Sequence, residues 1–313
     1  MNAPYCLGVD GGGTGTRLRL FGADGQSLGE GRAGPSALGQ GVEQAWRHIL
    51  QAAQQAVADA VGQGTLAPGS CFDASFMAQT RLGLGLSGAE NAAWVADFTR
   101  ISPHWAEQRL VSDGLIAVLG AHAGQAGAVL SVGTGTVGVA LHTGERVSLI
   151  GGWGWHLGDE ASGSWMGRQA IVCAQLAIDG RGPHGPLAQA VMAHGAGDRL
   201  GLLDWCAQVG QAEVAALAPL VFSLEASDPA AAHLVNSAVR SVEIFVQALD
   251  PHGALPLVIA GSVGERLCAR LSAQTQQRLV PAQADACEGA RLLLKRPWAF
   301  LDGAKTRQQD ALA

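Results

Sequence analysis

Four residues occur twice in this chain. Gly13-Thr14-Gly15-Thr16 returns as Gly133-Thr134-Gly135-Thr136. Each copy sits between two segments that read as strands. Residues 5–10 are a short apolar run, and 16–21 (TRLRLF) alternate apolar with basic. Residues 127–132 (GAVLSV) and 136–141 (TVGVAL) repeat the arrangement. A strand, a tight Gly-rich turn and a second strand, found twice, point to duplication of one supersecondary unit. Two similar domains with a cleft between them are therefore expected. The 44 glycines reinforce this, because they cluster at strand ends, at 8–15, 83–88, 131–138, 151–158 and 261–264. Glycine there lets backbone turn tightly and approach a ligand closely.

The remaining pattern is α/β. Residues 26–33 read as a third strand. Val42, Ala45, Trp46, Ile49, Leu50, Ala53 and Val57 fall at helical spacing, which predicts a helix over 40–61. Alternation at Leu82, Leu84 and Leu86 gives a strand, followed by a helix near 90–100, a strand over 108–112 and a helix over 114–121. After the second Gly-Thr turn come a strand at 145–150, a helical stretch over 161–249 and a strand at 256–260 with a helix behind it. A short strand near 278–281 and a helix over 285–296 close the pattern, and the polar tail 302–313 is expected to fray.

Composition removes several function classes. Hydrophobic residues make up 48% of the chain and charged residues 15%, which fits packed cores and excludes disorder. The net charge of -6 disfavours nucleic-acid binding, yet backbone N–H groups can still hold a small anion. The six cysteines include no C-x-x-C pair and read as reduced, buried thiols. The opening MNAPYCLGVD has no basic segment, so no secretion signal is expected. The uncharged run 127–141 is too short to span a bilayer.

No G-x-x-x-x-G-K-[ST] occurs, so a P-loop is excluded. Two G-x-G-x-x-G matches fail the dinucleotide test. Gly133, Gly135 and Gly138 lie between two strands, and Gly83 and Gly85 lie inside one. The segment LGVDGGGTGTRLRLF at 7–21 is more informative. A carboxylate, Asp10, ends a buried strand, and the turn behind it offers N–H groups together with the hydroxyls of Thr14 and Thr16. That combination can hold a polyphosphate while Asp10 binds magnesium, directly or through water. An ordinary hairpin with Asp10 capping its turn is the plain alternative. By themselves, Asp113 and Asp159 also read as caps of the helices that follow them.

The chain resembles the BadF/BadG/BcrA/BcrD-type ATPase family, and within it the bacterial glucosamine and N-acetylglucosamine kinases. The resemblance runs from Leu7 to Leu294. It rests on GVDGGGTGT at 8–16, SVGTGT at 131–136, IAGSVG at 259–264 and GGWGWHLGDEASGSWMG at 151–167. It implies two actin-like (ribonuclease H-like) ATPase domains with an interdomain cleft. Their expected bounds are 1–118, completed by a C-terminal helix within 285–313, and 119–284. It implies ATP held by Gly11, Gly12, Gly13, Thr14 and Thr16, by Gly133, Thr134, Gly135 and Thr136, and by Gly261, Ser262 and Gly264. Asp10 is the implied ligand of Mg²⁺, and Asp113 the implied catalytic base. Ser36, Ser87, Gly88, Asp113, Gly152, Trp153 and Asp159 are the implied sugar contacts, with Trp155 as a further wall.

Two departures from the family pattern matter. Val137 stands where many N-acetylglucosamine kinases read Asn, and Asp159 and Glu160 could favour a 2-ammonium group, so glucosamine is expected over its acetylated form. Gly158-Asp159-Glu160-Ala161 replaces the cluster cysteine of the dehydratase-activator branch, which argues against iron–sulfur chemistry. The expected activity is ATP-dependent phosphorylation of glucosamine or N-acetylglucosamine at the 6-hydroxyl, by a cytoplasmic homodimer that binds neither nucleic acid nor membrane. The alternatives are an ATPase energising a partner enzyme and an inactive sugar sensor.

Overall fold

The computed structural model describes residues 3–302. The tail expected to fray lies, apart from Asp302, outside the described residues. Two five- and four-stranded sheets organise the chain. The first contains β1 (Tyr5–Gly11), β2 (Thr16–Gly22), β3 (Ser27–Ala33), β4 (Thr80–Leu86) and β5 (Glu107–Val111), in the order β3-β2-β1-β4-β5. The second contains β6 (Gly127–Val132), β7 (Thr136–Leu141), β8 (Val147–Gly151) and β9 (Leu257–Ala260), in the order β8-β7-β6-β9. Each sheet thus opens with three consecutive strands laid side by side. Each then adds a later strand, parallel to its first, on the other flank: β4 beside β1 and β9 beside β6. The duplication read from the Gly-Thr repeat extends to this shared topology.

The contacts group the chain into two compact units. Among the described residues, one holds those up to Gly127, Ala140–Val147 and those from Pro281. The other holds Ala128–Val139 and Ser148–Val280.

In the first unit, β1 is buried on both faces. Leu7 and Val9 join Leu18, Leu20, Leu82 and Leu84 in one core, closed by the helix Val42–Gly62. That helix turns inward a stripe of small side chains, Ala45, Ala52, Ala53, Ala56 and Ala60, with Trp46 and Ile49 among them. Trp46 stacks on Phe98 at 4.3 Å and donates its indole N–H to the Phe98 carbonyl at 2.9 Å. On the opposite face, Cys6 packs with Phe21 and Leu294. Asp10 belongs to that face by the two-residue alternation of a strand. The helices Asp113–Ala121 and Ala286–Leu293 pack on each other and on β1 and β4 there.

In the second unit, Asp228 caps the long helix Pro229–Leu249 by accepting the Ala230 N–H at 2.7 Å, with Pro229 in the first turn. Phe245 and Leu249 of that helix meet the sheet at Gly151 and Gly138. The strand expected at 278–281 does not form. Leu279 makes a single bridge to Leu257, and Pro281, which has no N–H to give a ladder, stands two residues on. Among the described residues no single helix is long and apolar enough to cross a bilayer.

Gly31 in β3 shows how tightly the first core closes. A Cβ there would lie 1.9 Å from the Ala52 carbonyl oxygen, which is helix backbone and cannot swing aside. Gly31→Ala is expected to destabilise the chain by about 1–3 kcal/mol, the usual cost of overpacking. Urea denaturation of the two proteins measures this, and an unchanged midpoint would contradict the packing described.

Candidate active site

Each Gly-Thr turn is closed by a backbone bond, at a different position of the repeat: the Gly12 N–H donates to the Gly15 carbonyl at 3.0 Å, and the Gly133 N–H donates to the Gly135 carbonyl at the same distance. Thr14 and Thr134 are exposed at the tips. Thr16 and Thr136 are 1% and 2% exposed, and their hydroxyls point inward. The Thr16 hydroxyl donates to the Gly34 carbonyl at 2.7 Å and lies 2.7 Å from the Ser36 hydroxyl. The Thr136 hydroxyl donates to the Glu160 carbonyl at 2.7 Å. Sequence alone gives both threonines of a turn the same role. Their exposure divides them, with one offered to solvent and one bonded to the chain.

Other predicted residues of the first unit gather at the first turn. The Ser36 and Ala37 N–H groups both donate to Gly12, at 3.1 and 3.2 Å. The Ser87 N–H donates to Gly11 at 2.9 Å. Ser36 is fully buried, so it supports this turn from beneath. Ser87 and Gly88 are half-buried at the end of β4. Gly13 is exposed, and its carbonyl accepts the Gln40 amide at 3.1 Å.

Asp10 faces Arg17 across the β1–β2 pair, and their side chains form an ion pair at 2.5 Å. Both guanidinium bonds, from Nε at 3.1 Å and Nη2 at 2.5 Å, end on Oδ2. Among the described residues no group of three or more His, Cys, Asp or Glu could enclose a metal. A single carboxylate at a phosphate turn nevertheless suits magnesium, which keeps several waters and usually takes one or two carboxylates plus substrate phosphates.

Asp113 opens the helix Asp113–Ala121. The cap position itself falls to Ser112, which makes no side-chain capping bond, so Asp113 is not the cap that its sequence position first indicates. Its Oδ1 accepts the Gly114 N–H at 2.8 Å. Burial pushes its carboxyl up to about 6, the Gly114 N–H opposes the rise, and the nearby charges of Asp10 and Glu90 add to it. A carboxyl held there can accept a proton near neutrality.

In the second unit, Gly133 and Thr134 line a cavity of about 240 Å³ together with Gly163, Ala215, Ala216, Ala218, Pro219, Phe222, Ser262, Val263 and Arg266. Ser262, Val263 and Gly264 begin the helix that follows β9, with Gly261 at its cap. The predicted turn and the predicted 261–264 segment therefore meet at one hollow. Its remaining wall escaped sequence reasoning. Ala215 to Phe222 carry no titratable group, and Arg266, whose guanidinium lies 5.3 Å from the Phe222 ring centre, sits beyond the motif.

The Gly-Trp segment lies beside the same turn. The Gly152 N–H donates to Thr136 at 3.0 Å, and the Cβ that Gly152 lacks would meet Val137 at 3.4 Å. Trp153 is 73% exposed, whereas Trp155 packs on His156 with ring centres 4.3 Å apart. Arg168 holds this segment by donating to the His156 and Gly158 carbonyls at 3.3 and 3.2 Å. Asp159 is 4% exposed. Its carboxylate accepts the Thr136 N–H at 3.0 Å and the Gln211 amide at 3.1 Å. Burial pushes the Asp159 carboxyl up, against the pull of the Thr136 N–H and Arg168.

Comparison with known proteins places the chain as a whole. Glucosamine kinase GspK of Vibrio cholerae serotype O1 is 35% identical over 295 residues, spanning 94% of this chain and 96% of that protein. A crystal structure from Chromobacterium violaceum, described as a candidate N-acetylglucosamine kinase, superposes with a TM-score of 0.85 at 39% identity, covering 94% of this chain and 100% of that one. The ROK hexokinase of Thermus thermophilus shares the fold at 19% identity, with a TM-score of 0.54 over 92% of this chain and 97% of its own. The architecture is that of the actin-like ATPases. The model of the BadF/BadG/BcrA/BcrD ATPase family matches residues 7–293, and the chain belongs to that family.

Proposed function

We propose that this protein is an ATP-dependent amino-sugar kinase that transfers a phosphoryl group to the 6-hydroxyl of glucosamine or N-acetylglucosamine. The observation that carries this reading is the Asp113 carboxyl, raised by burial and placed on the same sheet face as Asp10. Phosphoryl transfer asks little covalent chemistry of a protein and much positioning, together with one group that takes the proton of the attacking hydroxyl. Asp113 is that group. The first unit also carries the Gly11–Thr14 backbone and Asp10, and the second carries the Gly133–Thr136 turn and the hollow beside Gly261–Gly264, suited to the nucleoside. Asp10 would hold magnesium, which would supply charge neutralisation of the transferring phosphate. Arg17 fixes the Asp10 carboxylate through one oxygen. The sugar contacts of this reading are Ser87, Gly88 and Asp113 in the first unit and, in the second, Gly152 and Trp153, while Ser36 shapes the first turn. A cytoplasmic homodimer completes the reading. ADP release in the presence of glucosamine, of N-acetylglucosamine and of no sugar tests it. Release that ignores the sugar would place the chain among ATPases that drive a partner.

Asp113→Asn should lower kcat by roughly a thousandfold, within the range of general-base effects, with little change in ATP or sugar affinity. A variant retaining a tenth of wild-type kcat removes Asp113 from this role. The raised carboxyl also sets a pH dependence. The base must be ionised, so kcat/KM should fall as pH drops through about 6. Because the folded value exceeds the ordinary 3.8, ionised Asp113 costs folding stability above pH 6. Asp113→Asn should therefore melt higher than wild type at pH 8, and the gap should close between pH 6 and 4.

Activity should require Mg²⁺ or Mn²⁺, and Asp10→Ala should abolish it at every metal concentration. Isothermal titration should show ATP affinity losing its dependence on metal in this variant. Full turnover in excess EDTA would rule the metal role out.

Val137, packed against Gly152, offers no hydrogen bond to an acetamide, and the Glu160 side chain is exposed. A site without a polar partner gains nothing from the acetyl carbonyl. Glucosamine should have the higher kcat/KM when both sugars are assayed under one set of conditions. A tenfold preference for N-acetylglucosamine would assign the acetyl contact to another loop.

A further inference from the structure

Two walls leave the second Gly-Thr turn and meet again at an arginine. The helix Ser262–Leu267 starts against the turn, for a Cβ on its cap residue Gly261 would lie 3.0 Å from the Gly133 nitrogen. Arg266 stands about one helical turn beyond Ser262. The second wall also begins beside the turn. A Cβ on Gly163 would lie 3.2 Å from the Ala215 carbonyl oxygen and 3.3 Å from that of Gly133. From Ala215 this wall runs through Ala216, Ala218 and Pro219 to Phe222. The Arg266 guanidinium lies over the Phe222 ring, 5.3 Å from its centre. The 240 Å³ hollow is the space between these walls.

The chemistry changes along the hollow. Beside the turn it offers backbone and the hydroxyls of Thr134 and Ser262. Toward Phe222 it offers Ala218, Pro219 and Phe222, whose side chains form no hydrogen bonds, and then one cation. Among the described residues Arg266 forms no ion pair, and its charge faces the Phe222 ring. A guanidinium is planar and weakly hydrated, and it stacks on flat π systems. A second ring entering the hollow beside it would be attracted as Phe222 is. Phosphate fits the turn end, where the donors are, and a base fits the Arg266 end. Contact of this kind reads ring area, and a bicyclic purine presents more of it than a pyrimidine.

We propose that Arg266, steadied by Phe222, selects a purine nucleotide by stacking on the base and not by pairing with phosphate. The proposal rests on the kinase reading above. It goes beyond that reading because Arg266 lies outside the motif at 259–264 and carries no role in it.

The test is isothermal titration of wild type, Arg266→Ala, Arg266→Lys and Phe222→Leu with ADP, CDP and inorganic tripolyphosphate, each with Mg²⁺. Arg266 is an exposed residue of its helix, so its variants should fold. Wild type should bind ADP at least tenfold more tightly than CDP. Arg266→Ala should weaken ADP by roughly three- to thirtyfold, the span of cation–π contacts from exposed to desolvated, and CDP by less, so that the preference narrows. Tripolyphosphate affinity should stay within twofold of wild type. Arg266→Lys keeps the charge and loses the plane, so it should resemble Arg266→Ala. Phe222→Leu keeps an apolar wall and removes the ring against the guanidinium, and it should narrow the preference as well. Loss of tripolyphosphate along with ADP in Arg266→Ala, rescued in Arg266→Lys, would put the guanidinium on phosphate and overturn the proposal. So would equal affinity of wild type for ADP and CDP, or a preference for ADP that survives intact in both Arg266 variants. A wild type that binds neither nucleotide would sink the kinase reading, and this proposal with it.

Discussion

A glycine-rich turn offered to phosphate, the role proposed for both turns here, has a built-in conflict. It needs backbone that can bend closely around an anion, yet such backbone has the most conformational freedom to lose. Both turns here meet the conflict in the same way. The second threonine is buried, and its hydroxyl bonds a loop distant in sequence: Gly34 for Thr16, and Glu160 for Thr136. The exposed tip, Thr14 or Thr134, is thereby held without being covered. Preorganised donors are worth more to a developing charge than donors that must first be ordered. The rest of each unit can be understood as support for this arrangement. Strands buried on both faces carry the first turn, and the 159–164 segment braces the second.

The two braces are built from different chemistry, although the turns share their four residues. The first uses neutral groups, with the Ser36 hydroxyl beneath Thr16 and the Ser36 and Ala37 N–H groups on Gly12. The second uses a carboxylate. This difference follows the charges nearby. The first turn already has Asp10 and Asp113 in its unit, and their mutual repulsion helps hold Asp113 near 6. Another buried carboxylate beside them would raise that value further. In the second unit, Asp159 has Arg168 and two N–H donors to offset its burial.

Much of the fold was legible because it is written in short-range patterns. Alternation marked β2 and β4, the helical period marked Val42–Gly62, and the repeated tetrapeptide marked the shared topology. The strand expected near 278–281 failed because a few apolar residues do not make a ladder when Pro281 ends the available donors. The candidate site was legible only in part. Strand-end carboxylates such as Asp10 and Asp113 announce themselves, since a charge beside an apolar run needs a reason. The wall from Ala215 to Phe222 does not, because its contribution is shape, and nothing in its composition distinguishes it from a core helix.

Asp159 marks the sharpest limit of the sequence. Its motif is specific and its residue type is chemically eloquent, but the direction of its side chain depends on a left-handed backbone turn that no local pattern encodes. Asp is one of the few residues that tolerates this conformation, so the same side chain suits both the strain and the bonding. With an ordinary negative φ, the carboxylate would leave the chain in another direction and the Thr136 N–H would lose its partner. The backbone at this one residue thus decides which way the carboxylate leaves the chain, and here it brings Oδ1 to the Thr136 N–H and Oδ2 to the Gln211 amide.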